Sequence, residues 1–268
     1  MTALLLSLWV AYAALFWWIQ ESVLFPVPTW MDAPGLAAIA EERGIEVLAL
    51  EDDRGQRILG WHHDAGADRL VVFLSGNGEA LSDYLDVHTL LVDAGWDTLT
   101  VAWTGYPGSA GEPSQAAMAA NARAAWGWAT RHFPHERVVV HGRSLGGAVA
   151  AELVDGGADP AGLVLESTFT RMAEVVGNQA PGLPLFLVLR HPFPTLDRAP
   201  RLDLPTLVLH SRDDQLIPPD LGGRRLAASL PHARYVEVSG WSHQDDLPLS
   251  DAEARAAWLA FLDERVPR

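Results

Sequence analysis

The run Val138-Val139-Val140-His141-Gly142-Arg143-Ser144-Leu145-Gly146-Gly147 carries an apolar strand into Gly-x-Ser-x-Gly and on into a helix-forming stretch, residues 148–153. A serine in that setting reads as a nucleophile. Glycine at 142 and 146 permits a sharp strand-to-helix turn in which any Cβ would collide with the neighbouring chain, and the turn lifts the Ser144 hydroxyl to the end of the sheet. There the Leu145 amide, at the positive end of the following helix, can point at a developing oxyanion. A serine hydroxyl is a poor nucleophile at neutral pH. It needs a histidine to take its proton and a carboxylate to orient that histidine. Downstream, an apolar run over 206–210 leads into Ser211-Arg212-Asp213-Asp214, which puts carboxylates at a strand's C-terminal end. Asp214 is the expected acid, and Asp213 is its immediate rival. A last strand over 235–238 leads to Ser239-Gly240-Trp241-Ser242-His243, so His243 is the expected base, on a loop at the same edge. The second oxyanion donor should come from Ser75-Gly76-Asn77-Gly78, after the run 70–74, with the Asn77 amide as the donor.

Composition removes several other chemistries. With no cysteine there is neither a disulfide nor a thiolate site, and because every one of the 19 basic residues is arginine, Schiff-base and Ser-Lys mechanisms are excluded. The other histidines fall into no metal-ligand spacing, and Asp83 and Asp86 lack the further oxygens that a hard cation requires. No metal and no cofactor are expected. His141 and His210 end strands beside the site and read as packed polar residues. A formal charge of −15 disfavours nucleic acid, whose affinity comes from neutralising phosphates.

The elements that must hold these residues follow from pattern. Short apolar runs at 70–74, 98–102, 137–141, 163–166 and 206–210 suit strands buried on both faces of a parallel sheet, and helical segments at 81–93, 114–132 and 145–154 lie between them. This is βαβ alternation, preceded by a hairpin of 46–50 and 57–61 around Asp52-Asp53-Arg54-Gly55. The stretch 168–203, which carries Pro181, Pro184, Pro192 and Pro194, reads as a small lid whose patch 183–189 could line an acyl pocket or form an ordinary core helix. Residues 1–19 carry no charged side chain, and a helix over them spans roughly 27 Å, close to a bilayer core. Residues 1–21 are therefore expected to be a retained single-pass membrane anchor with its side undetermined. A cleaved signal peptide and an apolar helix packed on the domain are the rival readings. Residues 22–34 read as a proline-stiffened linker and 35–268 as one catalytic domain.

The motifs at 75–78, Trp103-Thr104-Gly105-Tyr106-Pro107-Gly108-Ser109, Gly142–Gly147, Glu166-Ser167-Thr168-Phe169-Thr170, 210–214 and 240–243 together resemble the α/β-hydrolase superfamily, collinearly from about residue 24. The resemblance is to the serine-aminopeptidase-like branch, which includes depalmitoylases and esterases and often carries an N-terminal membrane helix. In that branch a histidine usually stands where this chain has Ser75, an arginine at Thr104 and a glycine at Pro107. The resemblance implies a mostly parallel sheet with helices on both faces, and Ser144, Asp214 and His243 as nucleophile, acid and base. The expected activity is hydrolysis of a carboxylic ester or thioester, with a small-molecule or lipid-like acyl substrate. A peptidase or an acyltransferase would use the same residues, and a non-catalytic binding module would keep only the fold. An aspartate nucleophile, as in dehalogenases and epoxide hydrolases, is excluded by Ser144.

Overall fold

The computed structural model describes residues 2–268, with the side chains of residues 2–4 and of Phe186 outside the description; Met1, the first residue of the expected anchor, also lies outside it. In chain order the elements are α1 (Thr2–Leu24), α2 (Ala33–Arg43), β1 (Glu46–Glu51), β2 (Arg57–His63), β3 (Leu70–Leu74), α3 (Leu85–Asp93), β4 (Asp97–Val101), α4 (Gln115–His132), β5 (Val138–Arg143) and α5 (Leu145–Asp155). They continue with β6 (Gly162–Glu166), α6 (Met172–Gln179), α7 (Leu185–Val188), α8 (Thr195–Arg198), β7 (Thr206–Ser211), α9 (Gly223–Ser229), β8 (Ala233–Val238), α10 (Leu247–Ser250) and α11 (Ala252–Arg265).

All eight strands form one sheet in the order β1-β2-β4-β3-β5-β6-β7-β8. The two N-terminal strands pair antiparallel, and every pair from β4 to β8 is parallel. Alternation divides the parallel strands between two cores. Val138 and Val140 of β5 join Leu70, Val72 and Leu163 on one face, under α4 and α5. Val139 joins Val71, Phe73 and Val164 on the other, under α3 and α11. Because both faces are covered, β3 and the first parts of β5 and β6 are continuous apolar runs instead of alternating with polar residues. Helix ends are set locally. Ser114 Oγ accepts from the Ala117 amide at the start of α4, and Asp251 accepts from Glu253 and Ala254 at the start of α11.

Chain order reverses between β3 and β5, which lie side by side with β4 beyond β3 on one side and β6 to β8 beyond β5 on the other. In open α/β sheets a crevice opens at such a switch point, beyond the strands' C-terminal ends. The loops after β3, β5, β7 and β8 all emerge at that edge.

The N-terminal helix requires a correction. Among the described residues no helix is long and apolar enough to cross a membrane. Counted from Leu5, the apolar run of α1 is diluted by Ser7, Tyr12 and three tryptophans and closed by Gln20 and Glu21. The expected single-pass anchor and membrane location are therefore not upheld. Instead α1 lies against the domain. Trp9 Nε1 donates to the Gly182 carbonyl at 2.8 Å. The fully buried Gln20 donates to Val188 O at 2.9 Å and accepts from the Arg190 amide at 2.8 Å. Glu21 pairs with Arg190 and with His191. Phe25, at the start of the expected linker, is buried edge-on against His191 and Phe193.

Candidate active site

Ser144 sits between β5 and α5 with φ 50° and ψ −115°, a strained conformation for a residue with a side chain. The surroundings enforce it. A Cβ on Gly142 would lie 2.4 Å from Gly146 O, and one on Gly146 would lie 2.0 Å from Leu74 O, so neither position admits a larger residue without moving backbone. The Ser144 amide donates to Glu166 O at 2.8 Å, and Thr168 Oγ1 donates to the Ser144 carbonyl. These contacts tie the turn to β6 and to the chain leaving it.

The three side chains singled out in the sequence come together across 99 and 29 residues of chain. Ser144 Oγ lies 2.9 Å from His243 Nε2, and His243 Nδ1 lies 2.7 Å from Asp214 Oδ2. All three are buried. Asp214 Oδ1 accepts from the Ile217 amide at 2.8 Å, which fixes the carboxylate's orientation. Asp213 turns away from His243 and accepts from the Gly240 amide at 2.6 Å. With Ser211 Oγ, which donates to Trp241 O at 2.5 Å, it holds the loop that carries His243. His210, fully buried, bonds Ile217 O through Nε2 at 2.8 Å and receives the Gly223 amide on Nδ1, so it braces the acid loop. Burial holds its pKa below the usual histidine value.

Leu145 and Asn77 both line the cavity in front of Ser144. Gly76 and Gly78, on either side of Asn77, donate their amides to Tyr84 and Tyr106 at 2.9 Å. The Asn77 side chain is fully engaged. Its Nδ2 donates to Leu24 O at 2.7 Å and its Oδ1 accepts from Tyr106 at 3.0 Å, so the last carbonyl of α1 is fastened to this loop.

A charged cluster beneath the site went unseen in the sequence. Arg143, the first variable residue of the Gly-x-Ser-x-Gly motif, is buried and pairs with Glu79, from the loop after β3. Its Nη2 donates to the His243 carbonyl at 2.8 Å. Its Nε lies 3.8 Å from Glu166, which is fully buried and bonded to His141 at 3.0 Å and to the Leu247 amide at 2.8 Å. Burial alone would raise the Glu166 carboxyl, but the His141 hydrogen bond and the charges of His141 and Arg143 hold it below the ordinary glutamate value. Asp246 goes the other way. Burial, reinforced by the Glu166 charge, pushes it well above the usual aspartate range. The only sequence signal for this cluster was the arginine inside an otherwise small and apolar motif.

The cavity above Ser144 measures about 430 Å³, within the range of roughly 300–1,000 Å³ typical of small-molecule sites. One wall is α1, through Tyr12, Phe16, Ile19 and Val23. The other is the stretch 169–183, chiefly α6, and the floor is Ser144, His243 and Ile217. Residues 183–189, expected to line a pocket or form a core helix, contribute Leu183 to the lining.

A family model described as serine aminopeptidase, S33, matches residues 65–197. An uncharacterized protein of Mycobacterium tuberculosis is 32% identical over 255 residues, covering 93% of this chain and 90% of that protein. The chain belongs to the α/β-hydrolase superfamily. An esterase of Pyrococcus furiosus shares the fold at a TM-score of 0.70 and 16% identity, covering 90% of this chain and 97% of that one. The lysophosphatidylserine lipase ABHD12 of Macaca fascicularis is 27% identical over 197 residues, covering 64% of this chain and 48% of the lipase.

Proposed function

We propose that the protein is a serine hydrolase that cleaves carboxylic esters or thioesters through an acyl-enzyme on Ser144. The observation that carries this reading is the unbroken hydrogen-bond chain from Ser144 Oγ through both nitrogens of His243 to Asp214, on the floor of an apolar cavity. His243 Nε2 takes the hydroxyl proton as Oγ attacks the carbonyl carbon, and Asp214 stabilises the imidazolium from Nδ1. The amides of Leu145 and Asn77 receive the oxyanion. His243 then protonates the departing alcohol or thiol, and a water activated by the same imidazole releases the acid. The apolar lining favours an apolar acyl group. The esterase and lipase names of the neighbour and the relative are consistent with that substrate class.

The test is labelling with a fluorophosphonate probe together with hydrolysis of p-nitrophenyl butyrate. Wild type should label and turn over. Ser144→Ala should lose labelling, and both Ser144→Ala and His243→Ala should lose about 10⁴-fold or more in kcat, as in other triad enzymes. Turnover that survives Ser144→Ala would sink the reading.

A further inference from the structure

The arrangement of α1 against α6 deepens the reading above, on which it rests, by naming the acyl group. The two helices bracket the cavity. The C-terminal end of α1 is fixed at the floor by the bond from Asn77 Nδ2 to Leu24 O. Its outer end is fixed by Trp9 to Gly182, just beyond α6. In the opposite direction, α6 begins close to Ser144, whose carbonyl receives Thr168 Oγ1, and recedes from it through Val175, Val176 and Ala180. Between these walls the cavity leads outward from the serine.

Tyr12, Phe16, Ile19 and Val23 are spaced by four, three and four residues, so they share one face of α1. All four line the cavity. From Leu24 at the floor to Tyr12 is twelve residues, about 18 Å at roughly 1.5 Å per residue, which is the extended length of an acyl chain of about 14 carbons. The charged lining residues are Glu79 and Arg143, which neutralise each other. Along the walls nothing compensates a charge, whereas each methylene placed there is worth about 0.8 kcal/mol.

The geometry points to a single, unbranched long acyl chain as the acid part of the substrate, lying between α1 and α6, with α1 as the wall that sets chain-length preference. A helix read from sequence as an anchor is then part of the substrate site. Its inward residues discriminate among chains and take no part in the bond-breaking step.

The test compares kcat/KM on p-nitrophenyl myristate and p-nitrophenyl butyrate. Ile19→Trp, which obstructs the channel midway, should lower the myristate-to-butyrate ratio at least tenfold, and Val175→Trp on the facing wall should do the same without touching α1. Val10→Trp, on the exposed face of α1 opposite Tyr12, should keep the wild-type ratio. An unchanged ratio in both channel variants, or an equal fall in Val10→Trp, overturns the channel. A second measurement separates this from the hydrolase reading. In the Ser144→Ala background, calorimetry should detect myristate binding that Ile19→Trp weakens at least tenfold. If wild type hydrolyses neither ester, the hydrolase reading fails while the calorimetry still decides the channel, and absence of myristate binding rejects it.

Discussion

Removing the Arg143 guanidinium by Arg143→Met would leave a methionine of similar length in a site built for a cation. Three acceptors would lose their partner: Glu79, the His243 carbonyl and, at 3.8 Å, Glu166. Stripping one member from a buried ion pair typically costs about 3–5 kcal/mol, because the charge left behind stays desolvated. Glu79 is partly relieved by its own environment. Burial, opposed by Arg143, already raises its pKa, so it can shed part of the penalty by taking up a proton. The expected loss is therefore about 3 kcal/mol, near the lower end of that range. It should appear as a lower urea midpoint with an unchanged slope. Adding Glu79→Leu removes one of the stranded charges, so the double variant should be more stable than the sum of the single effects by at least about 1 kcal/mol. A kinetic effect accompanies the loss. With its carbonyl released, the His243 loop loses its tie to β5 and keeps only the bonds to its own side of the sheet, from Ser211, Asp213, Asp214 and Asp251, and kcat on p-nitrophenyl butyrate should fall while KM changes little. An Arg143→Met cost below about 1 kcal/mol, or strict additivity with Glu79→Leu, would refute the claim that this pair is the keystone beneath the histidine loop.

Asp246→Asn should raise the urea midpoint at pH 7–8. The unfolded carboxyl ionises at its ordinary value while the folded one keeps its proton to higher pH, so the folded state loses stability as pH rises through that window, and the amide abolishes the loss while still accepting from the Leu249 amide. A lower midpoint at both pH 5 and pH 8 would contradict this. Acid should act through the opposite sign at His63, whose pKa is pushed down to about 4 by burial and by the neighbouring His62 charge. Between the ordinary value near 6.5 and that lower one the unfolded chain binds more protons, so stability falls as pH drops, and His63→Phe should shrink the difference in Tm between pH 7 and pH 4.5. An identical difference in the variant would assign the acid lability elsewhere.

Local pattern carried most of the sheet. The run 70–74 is β3 residue for residue, and 206–210 is β7 short of its last residue, because strands buried on both faces are continuous apolar runs ended by polar turns. The sequence pattern over 137–141 stops at His141, whereas β5 continues through Arg143. That extension keeps Gly142 and Arg143 in the ladder with β6, and it is what aims the arginine under the site. The meeting of Ser144, Asp214 and His243 was legible because each follows a strand at the same sheet edge. Which of Asp213 and Asp214 faces His243 could be read only as a preference for Asp214, since adjacent residues on a turn point in different directions; the bonds to Gly240 and His243 separate them. Nor could the Arg143–Glu79 pair be read. Its members are 64 residues apart and meet only because β3 and β5 are neighbours across the switch point.

The N-terminal helix shows why hydropathy alone misleads. A helix that is apolar all round reads as a membrane span or as the core of a large protein, because hydropathy registers how much apolar surface exists and not what covers each face. In α1 the faces have different partners. The inward face lines the cavity, Gln20 and Glu21 bind the chain around Val188, Arg190 and His191, and Leu8, Leu15 and Trp18 remain exposed. Gln20 and Glu21 are the residues that close the apolar run. Here they are what holds the helix in register, since Gln20 is fully buried and both donates and accepts on the facing backbone. A one-residue shift of α1 along that backbone would break both bonds and rotate Phe16 and Ile19 away from the cavity, so the polar pair at the end of the helix fixes where its apolar side chains stand relative to Ser144.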